Sequence, residues 1–140
     1  MAAFNKFNAF VADLDNKVHN LGSDTLKIML TNVAPVATNA VKADITEIAA
    51  GNGYSAGGTA VGITSSSQTS GTYKLIPSGN VVFTASGGSI ATFRYAVLYN
   101  STPASGNLIG WWDSGAGQVI TTGNTFTVGL DATNGILQVA

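Results

Sequence analysis

The stretch "TYKLIPSGNVVFTASGGSIATFRYAVLYN" (72–100) reads as three β-strands joined by two turns. In its last third Phe93, Tyr95, Val97 and Tyr99 alternate with Arg94, Ala96 and Leu98. That period of two puts each set on its own face of a strand. "PSGN" and "SGG" interrupt the apolar runs with residues whose backbones favour turns. Strands are expected over 72–76, 80–85 and 91–99.

The same punctuation continues on both sides. Downstream, "PASGN", "DSGAG", "TGN" and "TNG" separate candidate strands 107–113, 117–121, 124–130 and 135–139. Upstream, 59–65 is β-branched and hydroxylated. In 26–31, Leu26, Ile28 and Leu30 share one face, and Lys27, Met29 and Thr31 the other. Turn signals about every 8–12 residues belong to an antiparallel sandwich or barrel rather than a parallel sheet. The expected fold class is mainly β: an antiparallel jelly-roll-like β-sandwich, one domain over 1–140.

Two segments depart from this pattern. Over 1–22, Phe4, Phe7, Val11, Leu14, Val18 and Leu21 recur at spacings of three and four, which predicts an N-terminal amphipathic helix. Asp13 and Lys17 would form an i,i+4 pair on it, His19 would lie in its last turn, and Gly22 would end it. The sandwich then occupies 23–140. Within the long connection 32–58, Asp44 followed by Glu47 has the spacing of a capping box, which predicts one short helix with Ile45, Ile48 and Ala49 on its apolar side.

Past that helix, "GNGYSA" (51–56) fits the G-x-G-x-x-G/A pattern of dinucleotide-binding loops. Such a loop needs a strand before its glycines and a helix N-terminus after them, so that free N–H groups face the phosphates. Here the order is reversed, because a β-branched segment follows. Gly51 is read as a helix-terminating residue, and no nucleotide or other cofactor is expected.

Composition narrows the partners. Charged residues make up 9% of the 140 residues, against about 25% in typical soluble domains. After Lys74 the only charges are Arg94, Asp113 and Asp131. Weak mutual repulsion of this kind suits a protein whose faces are covered by a neighbour. Six Lys and Arg spread along the chain cannot build the footprint that nucleic acid or an anionic membrane requires. The absence of Cys removes thiolate metal sites and disulfides. The first residues lack the continuous apolar run of a secretory signal, and nothing approaches about 18 consecutive apolar residues, so a cytoplasmic site of synthesis is expected.

Catalytic groups are scarce: one His and seven acids. Asp113 and Asp131 open turns, where an Asp bonds its own backbone. Asp13 and Asp15 do not share a helix face. No catalytic, metal or cofactor-binding residue is assigned, and the chain is not expected to be an enzyme. Aromatic residues stand out instead. Trp111 and Trp112 are adjacent in a strand and so point to opposite faces. One of them facing outward could anchor a protein contact or stack on a sugar ring, as could Tyr54; or both could be covered within the domain. Phe4, Phe7 and Phe10 load the N-terminal segment, either as core or as an arm docked on a neighbour. These six residues are the candidate interface.

The segments "KVHNLGSDTLKIMLTN", "ADITEIAAGNGYSAGG" and "FRYAVLYNSTPASGNLIGWWD" together resemble the capsid cement (decoration) proteins of tailed bacteriophages, a likeness that runs over nearly the whole chain. None of these segments is diagnostic alone. The resemblance implies a jelly-roll virion protein on the capsid exterior. Such a protein binds the major capsid protein of an assembled icosahedral shell and clamps neighbouring subunits together, as a homodimer without an active site. The competing expectation is a carbohydrate-binding or host-adhesion module that uses an exposed Trp or Tyr.

Overall fold

The computed structural model describes residues 2–140 and is mainly β. Its elements in chain order are β1 (Asn5–Lys6), α1 (Ala9–Asp15), β2 (Leu26–Thr31), a 3-10 turn (Lys42–Asp44), β3 (Thr59–Ala60) and β4 (Ile63–Thr69). They continue with β5 (Thr72–Pro77), β6 (Val81–Thr84), β7 (Ile90–Asn100), β8 (Leu108–Ile120), β9 (Thr125–Val128) and β10 (Leu137–Val139). All pairings between these strands are antiparallel. They form a five-stranded sheet in the order β1-β8-β7-β2-β3, a three-stranded sheet β10-β5-β4, and the pair β6-β9.

The five-stranded sheet is apolar on both faces. From one face Ile28, Leu30, Ala96, Leu98, Ile109 and Trp112 meet Leu75, Val81, Phe83, Val128 and Leu137 of the other two sheets in the main core. On the opposite face Met29, Val97, Tyr99 and Leu108 form a second cluster, closed by Phe7 from the N-terminal segment and Ile45 from the long connection. This is why β2 buries Met29 and Thr31 as fully as Ile28 and Leu30. Strict alternation predicts one solvated face, but here that face is roofed by segments distant in sequence.

Several expected boundaries shift for local reasons. The helix spans Ala9–Asp15, not 1–22. Asn5 and Lys6 instead pair with Trp111 and Gly110, and Lys17 turns left-handed at φ 62° just past the helix, so the stop comes five residues before Gly22. The Asp13–Lys17 pair is lost with that turn, and Asp13 accepts a hydrogen bond from Asn107 Nδ2 at 2.9 Å. The expected strand 59–65 divides at Val61–Gly62, where the chain leaves β2 for the neighbouring sheet and pairs with β5. Candidate strands 107–113 and 117–121 are one strand, β8. "DSGAG" does not reverse the chain but bulges from it, so that Tyr95 faces Asp113 while Phe93 already faces Gln118.

The Asp44 and Gly51 readings also change. The helical piece of the connection is a single 3-10 turn that ends at Asp44. The Asp44 carboxylate reaches back to accept the N–H groups of Ala40 and Val41 at 2.9 and 3.1 Å. These bonds hold its pKa below the usual carboxylate range. Residues 51–54 form a tight turn closed by Gly51 N–H to Tyr54 O at 2.8 Å and Tyr54 N–H to Gly51 O at 3.1 Å. Asn52 (φ 56°) and Gly53 (φ 98°) occupy its centre, the Asn-Gly signature of a type I′ turn. A Cβ on Gly53 would also run into the Thr84 carbonyl oxygen.

Candidate interaction surface

The candidate interface begins with the N-terminal arm. Because β1 pairs along the outer edge of β8, Phe4 and Phe7 flank the two tryptophans. The Phe4 and Trp112 rings lie 5.3 Å apart between centroids, and those of Phe7 and Trp111 lie 4.5 Å apart. Gly110 makes room for the arm, since a Cβ there would strike the Phe4 ring. As the alternation requires, Trp112 joins the main core and Trp111 packs against the second cluster.

Burial separates the six candidates. Phe7, Phe10, Tyr54 and Trp112 are buried within this chain, while Phe4 and Trp111 keep partial exposure. Phe10 packs on His19, with centroids 5.3 Å apart. Tyr54 stands apart from the others, against Phe83. Its hydroxyl accepts the Leu30 N–H at 3.0 Å and donates to Glu47 Oε1 at 2.7 Å. Burial, together with that bond to a carboxylate, pushes its pKa far up. Glu47 also accepts the Gly57 N–H and lies 3.7 Å from Lys42 Nζ, while the Tyr99 hydroxyl donates to Gly57 O at 2.7 Å. This set fastens the connection 42–57 onto the sheet. No spacing in the sequence announces it.

Ionic groups are few and largely satisfied. Arg94 and Asp113 form a two-pronged pair, Nε to Oδ1 at 2.7 Å and Nη2 to Oδ2 at 2.9 Å. The guanidinium and the Gly115 N–H hold Asp113 below the usual carboxylate range, and Arg94 is raised in turn. Asp131 accepts the Thr133 and Asn134 N–H groups, both at 2.8 Å, in a turn of its own. His19 lies past the end of the helix, buried, with Nε2 4.0 Å from Asp13 Oδ2. No group of three or more His, Cys, Asp or Glu among the described residues could hold a metal ion. No helix among them is long and apolar enough to cross a membrane.

Part of what faces solvent is aliphatic. Val11, Val33, Val36, Val82 and Val119 are all exposed. The loop that carries Val33 and Val36 is tied to the start of α1 by the Asn8 N–H to Ala37 O bond of 2.9 Å. Between Ala96 and Trp112 on the large sheet and Phe126 and Val128 on β9, a cleft of about 400 Å³ opens at the edge of the main core, with Arg94 at its lip. In comparisons with known proteins, no family model, no curated protein and no solved structure matches this chain.

Proposed function

We propose that this chain is a structural, non-enzymatic virion protein. In this reading it binds the outside of an assembled icosahedral phage capsid, clamps neighbouring major capsid subunits together, acts as a homodimer, and closes its three sheets as a jelly-roll-like sandwich. The observation that carries the reading is electrostatic. Three charged residues follow Lys74, and two of them, Arg94 and Asp113, neutralise each other at 2.7 Å. Nearly half the chain therefore presents hydroxyls, amides and aliphatic side chains with almost no net field to keep a neighbour away. The sequence resemblance supports the same reading.

A clamp of this kind works by mass action. It binds the assembled shell and not the separated subunits, so it stabilises the assembly in proportion to its occupancy. Gripping two subunits at once raises the effective concentration of the second contact, so each contact can be small. The alternative, a glycan-stacking platform, loses Trp112 and Tyr54 to burial and would rest on the partly exposed Trp111.

The test is co-sedimentation with phage heads that lack any decorating protein. Saturable binding to heads, no binding to dissociated subunits, and a higher temperature of head disruption are expected. Heads that leave the protein in the supernatant at every concentration would overturn the reading.

A further inference from the structure

We propose that β4 is a self-recognition edge, along which two copies of this chain pair antiparallel and join their three-stranded sheets into one six-stranded sheet. An open strand edge is a template for another strand, and proteins guard such edges by keeping them short or charged. The other edge strands follow that rule, with two residues each in β1 and β3, three in β10 and four in β6 and β9, while the stretch of β8 past Trp111 that β1 leaves uncovered is broken by the bulge at 113–118. β4 does not. Its seven residues, "ITSSSQT", stand at the end of their sheet, and Ser66–Thr69 are exposed. No charged residue occurs between Glu47 and Lys74.

The hairpin geometry specifies which groups are free. Ser70 (φ 52°) and Gly71 (φ 83°) make a two-residue turn, so the flanking pair Thr69–Thr72 is hydrogen-bonded. Pairs then alternate along the ladder. Ser67 bonds to β5 opposite Lys74, while Gln68 and Ser66, opposite Tyr73 and Leu75, turn their N–H and C=O groups outward. A two-fold axis at Ser66 would engage those free groups. It would set Ser65 beside the partner's Ser67, and the regular pairing would end near Thr64, where β4 bulges against β5.

This arrangement selects the occupant. Hydroxyl-bearing pairs directly opposite each other across antiparallel strands are favourable, and like charges there are not. An uncharged Ser/Thr/Gln strand of this length meets no repulsion from its own inverted copy. The proposal deepens the capsid-clamp reading by naming the contact that makes the clamp two-armed, but its test needs no capsid.

The experiment is sedimentation equilibrium of the isolated full chain up to about 1 mM. The 14.2 kDa species should give way to one of twice that mass as concentration rises. S65K/S67K, which places lysines face to face across the axis, should remain monomeric. S65K/S67E, which places each lysine beside the partner's glutamate, should dimerise again. A wild-type chain that is monomeric throughout, a dimer indifferent to S65K/S67K, or an S65K/S67E variant that stays monomeric would each overturn the proposal. If a monomeric wild type binds heads and S65K/S67K does not, the edge belongs to a capsid strand, and the clamp survives without this contact.

Discussion

Asn100 Nδ2 lies 3.1 Å from His19 Nδ1 and 2.6 Å from Asp24 Oδ2, so one buried amide spends both of its hydrogens on partners more than seventy residues away. Its oxygen accepts the Thr102 N–H at 3.0 Å. With every atom of that amide committed, His19 Nδ1 acts as an acceptor and the ring stays neutral.

Acid sensitivity follows from that neutrality. Burial lowers the His19 pKa below 6.5, against the opposing pull of Asp13 and Asp24. The unfolded chain therefore takes up this proton first. The stabilisation is complete above about pH 6.5 and is lost as pH falls through the lower folded value. Urea melts between pH 7.5 and 5 should show a declining midpoint, and His19→Gln should flatten the decline. A second loss, below about pH 3.8, is expected from Asp44, Asp113 and Asp131, whose folded pKa values are also depressed.

Gly53 and Gly87 separate backbone strain from collision. Both have positive φ, 98° and 73°, but a Cβ on Gly87 would enter open space while one on Gly53 would meet Thr84 O. Gly87→Ala should cost about 1–2 kcal/mol. Gly53→Ala should cost more than about 2 kcal/mol, because the turn and the β6 end must part. Denaturant titration of the two variants side by side checks the order.

The Tyr54 hydroxyl should matter more than its ring position. Tyr54→Phe keeps the packing against Phe83 and leaves the buried Leu30 N–H without a partner, at a cost of about 1–3 kcal/mol. Amide exchange should accelerate at Leu30 and at Gly57, which shares Glu47 with that hydroxyl.

The N-terminal arm should be separable from the rest. Gly110→Ala would push the Phe4 ring and Asn5 off β8, while Phe7 stays anchored against Trp111. The expected outcome is faster proteolysis before residue 7, together with a stability loss of about 1–3 kcal/mol. Unchanged cleavage would mean that the arm is held elsewhere.

Strands whose polarity alternates and whose turns carry Gly or Asn were readable in place: β2, β5 and β7 fall within a residue of their expected limits. Misreadings arose where one signal serves two purposes. Glycine in "DSGAG" permits a bulge as readily as a turn, and the two give opposite strand counts. The Asp44–Glu47 spacing suited a helix opening, but both carboxylates are spent elsewhere, on Ala40 and Val41 N–H and on Tyr54. In the candidate interface, adjacency alone placed the tryptophans on opposite faces. That Phe4 and Phe7 cover them depends on a pairing 106 residues apart, which no local pattern encodes.

The order of strands in the large sheet also has a consequence for synthesis. β1 needs β8, and β2 needs β7 for pairing along its whole length, since the two-residue β3 covers only Lys27 and Ile28 on its other side, so most of this sheet waits for residues near 95–111. Such distant pairings make folding slow, on the order of milliseconds to seconds. During translation the β7-facing edge of the apolar β2 is the last part of that strand to find its partner.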